Sequence, residues 1–170
     1  GLLGYLQTRQ NIIQDATRNL YSVVKNHAGQ LEIWFDGKIH EFDFLAQMPM
    51  TANPARAMAL GVYSREDSLM FSRTVDLYIR NTPAVGPCGL FKTDGSPLVR
   101  ANECPFTGKE ATGIAEFQYA LQNPGQVIIG DVFSDAEGAN AVRLARAYYD
   151  STTNEPFAVL MMALELDDIF

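Results

Sequence analysis

The sequence predicts an α+β domain with helices first and a sheet after them. Three observations carry this. Between Tyr5 and about Met48, apolar residues recur at three- and four-residue steps, which is the spacing of one helix face. After Pro87 the period changes to two, as in a half-buried strand. Near the end, PFAVLMMALEL is apolar at both alternating sets of positions, which places it in the middle of a sheet covered on each face.

The first stripe runs through Ile13, Ala16, Leu20, Val23, Leu31, Trp34, Phe42 and Leu45, so residues 1–48 are expected to form one long helix. Gly29 and Gly37 weaken it by about 1 kcal/mol each relative to alanine, which leaves two helices as an alternative. FDGK at 35–38 offers a hairpin alternative, but the three- and four-step spacing continues across the glycine. Pro49 stops the helix. A helix of this length spans about 65 Å, more than one small sheet can cover.

Short helices are expected over 52–82. The first is capped by Asn53 with Pro54 in its first turn, and the second starts at Ser64 with Asp67 in a capping-box pattern. The sheet core is expected over 86–168. CGLFKT and SPLVRAN flank Asp94-Gly95, a two-residue hairpin signal. A helix over 110–122 ends at NPG. The strands QVIIGDVF, AVRLARAYYD and EPFAVLMMALEL follow, five strands in all within a single domain, 1–170.

Composition bounds the function. The chain of 170 residues, 47% hydrophobic and 19% charged, is globular and large enough for one core. A net charge of -7 leaves no basic footprint for nucleic acid, although a few local arginines can still hold a small anion. The longest apolar run is broken by Glu165 before the roughly 20 residues that a membrane span needs. The abrupt ends GLLGYLQ and LELDDIF are expected of a segment of a longer protein.

Motifs for catalysis or metal binding are weak. DGSPLVRANE lacks the carboxylate spacing of a calcium loop, so Asp94 is read as a turn residue. His27 and His40 lie on helical segments without partners at zinc spacing. SDAEGAN is read as a solvated acidic loop. No phosphate loop, nucleophile elbow or paired-His motif is present, so no enzyme, metal or cofactor is expected. Cys88 and Cys104 flank the hairpin and are either a disulfide or two thiols. In-register pairing would set Cys88 opposite Ala101, with Cys104 about 10 Å further along.

Certain segments, taken in order, resemble the Cache family, extracytoplasmic sensor domains with a PAS-like core also called PDC domains. These are the long helix ending in FDFLAQMP, the hairpin LFKTDGSPLVRAN, AEFQYALQNPGQVIIGD, VRLARAYYD, and PFAVLMMALELDDIF. The chain has TGIAEF where many members carry an arginine before the mid-helix aromatic. It has LYIRNTPAVGPCGLF, without a tryptophan, where amino-acid-binding members carry an Arg-Trp-Tyr cluster.

The resemblance implies a five-stranded antiparallel sheet with the last strand central, the long helix on one face and the ligand pocket on the other. It implies the periplasmic or extracellular part of a membrane receptor, flanked by spans and placed upstream of a histidine kinase, diguanylate cyclase or chemotaxis module. It also implies a homodimer with parallel long helices, for which the apolar stripe over Ile12 to Leu31 is the expected surface. A ligand-free assembly module and a cytoplasmic PAS-like cofactor binder are the alternatives. The expected ligand is a small molecule, such as a carboxylate, bound beside the hairpin and the next-to-last strand. Candidate contacts are Tyr78, Arg80, Arg100, Asp131, Arg143, Arg146 and Tyr148. Alternation puts Arg143 on the opposite face from Arg146 and Tyr148. The favoured pair is Arg146 with Tyr148, because an arginine beside an aromatic ring holds a carboxylate and stacks its apolar body.

Overall fold

A computed structural model describes residues 2–62, 64–100, 111–134 and 138–167. They fall into two compact units, residues 1–40 and 41–170. Helix α1 (Leu2–Gln47) makes up the first unit and gives its last two turns to the second. Gly29 and Gly37 both lie within it, so FDGK is helical and not a turn. In the first unit Trp34 meets Phe35 edge-on at 5.0 Å and carries the Lys38 ammonium 5.8 Å above its ring. His40 Nδ1–H donates to the Asp36 carbonyl one turn back, at 2.6 Å, as a helix-face residue would. His27 is also within α1.

The second unit begins where α1 buries Phe42, Leu45 and Ala46. Helix α2 runs over Pro49–Ala59, earlier than expected: Met48 is its N-cap, and Pro54 is a buried interior residue, not the first-turn proline. The reason is that one residue serves two ends. Pro49 cannot continue α1, and it is pre-shaped for the first position of α2. The last carbonyls of α1 would otherwise be orphaned. The buried Thr51 hydroxyl lies within reach of the Leu45, Ala46 and Met48 carbonyls. Helix α3 (Arg65–Asn81) starts as expected, with the Asp67 carboxylate accepting from the Ser64 N–H at 2.9 Å.

The strands are β1 (Val85–Lys92), β2 (Pro97–Arg100), β3 (Val127–Ser134), β4 (Asn140–Tyr149) and β5 (Pro156–Glu165); helix α4 (Ala115–Gln122) precedes β3. They form a five-stranded sheet in the order β2-β1-β5-β4-β3, with every neighbouring pair antiparallel. The strand that is apolar on both faces is central, and Ala158 through Leu164 are all buried. Alternation along β4 sorts the two faces. Ala145 and Ala147 face α4 and join Phe91, Phe117, Ala120, Val159 and Met161 in one core cluster. Arg146 and Tyr148 face the end of α1, where the Tyr148 hydroxyl donates to the Ala46 carbonyl at 2.8 Å.

The β1–β2 hairpin stands where expected, but its turn differs. Gly95 N–H donates to the Lys92 carbonyl and Lys92 N–H to the Ser96 carbonyl, so three residues form the loop. Gly95 alone takes the left-handed conformation, at φ 87°. Asp94 therefore avoids the positive φ that a two-residue type I′ turn would impose on it, and the extra residue is absorbed as a register shift at Leu90/Phe91. Cys104 and residues 135–137 of the acidic loop lie outside the described residues, as does the Cys88 side chain.

Two turn carboxylates set an expected acid dependence. The Ser96 N–H, 2.8 Å from Asp94 Oδ1, holds the Asp94 carboxyl below its ordinary value of 3.8. The Thr152 N–H does the same for Asp150, with Arg56 a lesser cause. Because both are depressed in the folded state, the unfolded chain binds protons first as pH falls. Their stabilisation is complete above the ordinary carboxylate value and is lost as pH drops through the lower folded values. Urea titrations from about pH 5 to pH 2 should show a flatter acid limb for Asp94→Asn/Asp150→Asn than for the parent chain. Superimposable limbs would remove both groups from the account.

Candidate functional site

Sheet and helices bring two places to notice. One is an apolar groove of about 390 Å³ between the last turns of α1 and α3, lined by Phe44, Leu45, Met48, Leu77 and Tyr78 among others. The expected site residue Tyr78 lies here, and its hydroxyl donates to Glu41 Oε2 at 2.9 Å. Tyr78 and Glu41 thus satisfy each other, while Phe44 and Leu77 stay exposed.

The other place is a bulge in β3. Ile129 pairs with Leu144 and Val132 with Val142, so Gly130 and Asp131 together oppose Arg143. A bulge of this kind re-aims side chains and recurs beside functional sites. Arg143 lies on the face of β4 that α4 covers, with its guanidinium 3.7 Å above the Phe133 ring. Glu116, in the first turn of α4, reaches down onto Gly130; a Cβ on that glycine would overlap the Glu116 carboxylate. Glu116 is only 8% exposed. Burying an acid is costly unless a partner meets it.

Of the seven residues expected from the sequence, the bulge gathers two, Asp131 and Arg143. Arg146 and Tyr148, the favoured pair, are taken up elsewhere. Arg146 Nε lies 2.8 Å from Asp43 Oδ1. The contact is ionic and not an aligned hydrogen bond. Tyr148 is held by Ala46 and stacks on Phe157 at 5.9 Å. Both fasten β4 to α1. Arg80 is exposed in the last turn of α3, where a cation suits the helix dipole. Arg100 ends β2 opposite Gly89, and its side chain lies outside the described residues. Glu116, Gly130 and Phe133 were missed. The signal available was the glycine inside QVIIGDVF, since glycine within a strand pattern marks a bulge or a close approach.

No family model matches this sequence, and no curated protein does. Solved structures do match. The extracellular domain of a protein described as the histidine kinase vpHK1S-Z8 is similar with a TM-score of 0.63 at 13% identity, over 82% of this chain and 53% of that one. A domain of a sensory box/GGDEF family protein from Vibrio parahaemolyticus gives 0.59 at 14% identity, over 76% and 52%. The ligand-binding domain of the Pseudomonas aeruginosa PAO1 amino-acid chemoreceptor PctC, in complex with GABA, gives 0.56 at 16%, over 82% and 57%. The chain therefore spans about half the length of these solved domains. The fold of this chain is that of the Cache (PDC) sensor domains.

Proposed function

We propose that this chain is a ligand-sensing domain of a membrane signal-transduction receptor, outside the cytoplasm, and that its ligand binds on the α4 face of the sheet beside the β3 bulge. One observation supports the reading: at the β3 bulge, Arg143 lies on the sheet face opposite the end of α1, the face on which the buried Glu116 rests on Gly130. Arg143 is the group for an anionic end of a small molecule, with Phe133 beneath it. The same strand leads outward. Arg146 and Tyr148, on its other face, hold Asp43 and Ala46 of α1. A ligand that displaces β4 therefore acts on α1, by no more than its difference in affinity for the two positions. In the receptor, α1 would pass that shift toward the membrane, with a second copy alongside.

Thermal-shift screening of the 170-residue chain against small organic acids, amino acids and amines tests this. A true ligand at 100 times its Kd stabilises by about 2.7 kcal/mol. Arg143→Ala should cancel the shift for ligands that carry an anionic group, and Arg80→Ala should not. If no compound of the panel stabilises the chain, the sensor reading falls and the assembly module takes its place.

A further inference from the structure

The geometry points to Glu116 as the anchor for a protonated nitrogen of the ligand, an inference that rests on the α4-face site above. An acid in the first turn of a helix is commonplace, because the N-terminal dipole favours it. Such acids normally reach into water, whereas Glu116 is 8% exposed and lies flat over β3. The strand is shaped to receive it. Gly130 is the residue beneath, and any side chain there would occupy the carboxylate's place.

Among the described residues Glu116 makes no ion pair or hydrogen bond. The cation across the bulge, Arg143, is stacked on Phe133 and is not joined to it by an ion pair. Yet the residue is not fully enclosed, since 8% of its surface stays exposed. An acid that is only 8% exposed and is provided with space by a glycine is suited to a cation that arrives from outside. An alkylammonium meets that need through short charge-assisted hydrogen bonds that a neutral ligand cannot make. The site so described prefers primary amines, with or without a carboxylate at the far end, to plain carboxylic acids.

Calorimetric titration of the 170-residue chain with putrescine, choline, GABA and succinate separates the possibilities. Putrescine or GABA should bind, and Glu116→Gln should weaken that binding at least about tenfold, as loss of a charge-assisted contact does. Glu116→Asp, which keeps the charge on a shorter arm, should fall between the two. Circular dichroism confirms that each variant is folded, and Gly130→Ala offers an independent route by displacing Glu116 without removing it. Binding of succinate alone would overturn the assignment and leave the sensor reading standing. Amine binding that Glu116→Gln and Gly130→Ala both leave intact would overturn it as well. Failure of all four probes to bind would overturn it, and the broader screen then decides the sensor reading separately.

Discussion

Phe117→Ala should cost about 3–5 kcal/mol, the range for emptying a buried phenylalanine site. Phe117 is fully buried where α4 meets the sheet, among Phe91, Ala145, Ala147, Val159 and Met161. Three of the sheet residues in that cluster, Val159, Met161 and Phe91, come from strands that neighbour each other at its centre, so the cavity cannot close by moving an edge. Two alanines in the wall have no longer side chains with which to fill it. Against a total of about 5–15 kcal/mol for a domain, such a loss brings the chain close to unfolding. Urea denaturation should show a much lower midpoint with an unchanged slope. A loss below about 1.5 kcal/mol would mean that α4 is not held through this residue. The change should also weaken ligand binding, because α4 positions Glu116.

Asp43→Ala should cost about 1–3 kcal/mol and should be repaired in part by Arg146→Leu. Removing one member of a buried ion pair strands the other, at about 3–5 kcal/mol when both are enclosed. Here the side chain of Arg146 is 10% exposed and that of Asp43 is 38% exposed, so water reaches the acid and the cost is reduced. Arg146 sits between Val127 and Leu160 in the sheet, where a leucine would be at home once the acid is gone. The double variant Asp43→Ala/Arg146→Leu should therefore be more stable than Asp43→Ala alone, and the double-mutant cycle gives the coupling. If Arg146→Leu adds further destabilisation instead, the arginine's role is not confined to Asp43. Ligand affinity in these variants also tests which face of β4 serves the ligand.

How far the sequence went can be judged residue by residue. The central strand was legible because burial on both faces leaves no polar alternate in PFAVLMMALEL. The hairpin was legible in place but not in geometry, since Asp-Gly serves both a two-residue turn and a three-residue loop with only the glycine left-handed. The start of α2 was missed because Pro49 was taken solely as a stop, although proline also begins helices. Arg143 and Asp131 could be named by type. Alternation separated Arg143 from Arg146 and Tyr148, but a period of two does not say which face a distant helix covers. Glu116 was hidden for a similar reason: its spacing is that of an ordinary helix-start acid, and only the β3–β4 register reveals the hollow at Gly130.

In β5 six of the ten residues, Ala158 to Met162 and Leu164, have register partners on both sides, in β1 and in β4, yet β5 comes after both in the chain. On the side away from Val99, Leu90 finds its partner in Leu160, and no pairing between β1 and β4 exists to hold the place meanwhile. Synthesis thus delivers two separate hairpin-like halves, β1–β2 and β3–β4, whose inner edges, on β1 and β4, stay unpaired until β5 arrives. Long-range closure of this sort folds slowly, and open edges invite pairing with other chains. Until then, the helices α1 to α4, which precede β5 in the chain, are available to shield those edges.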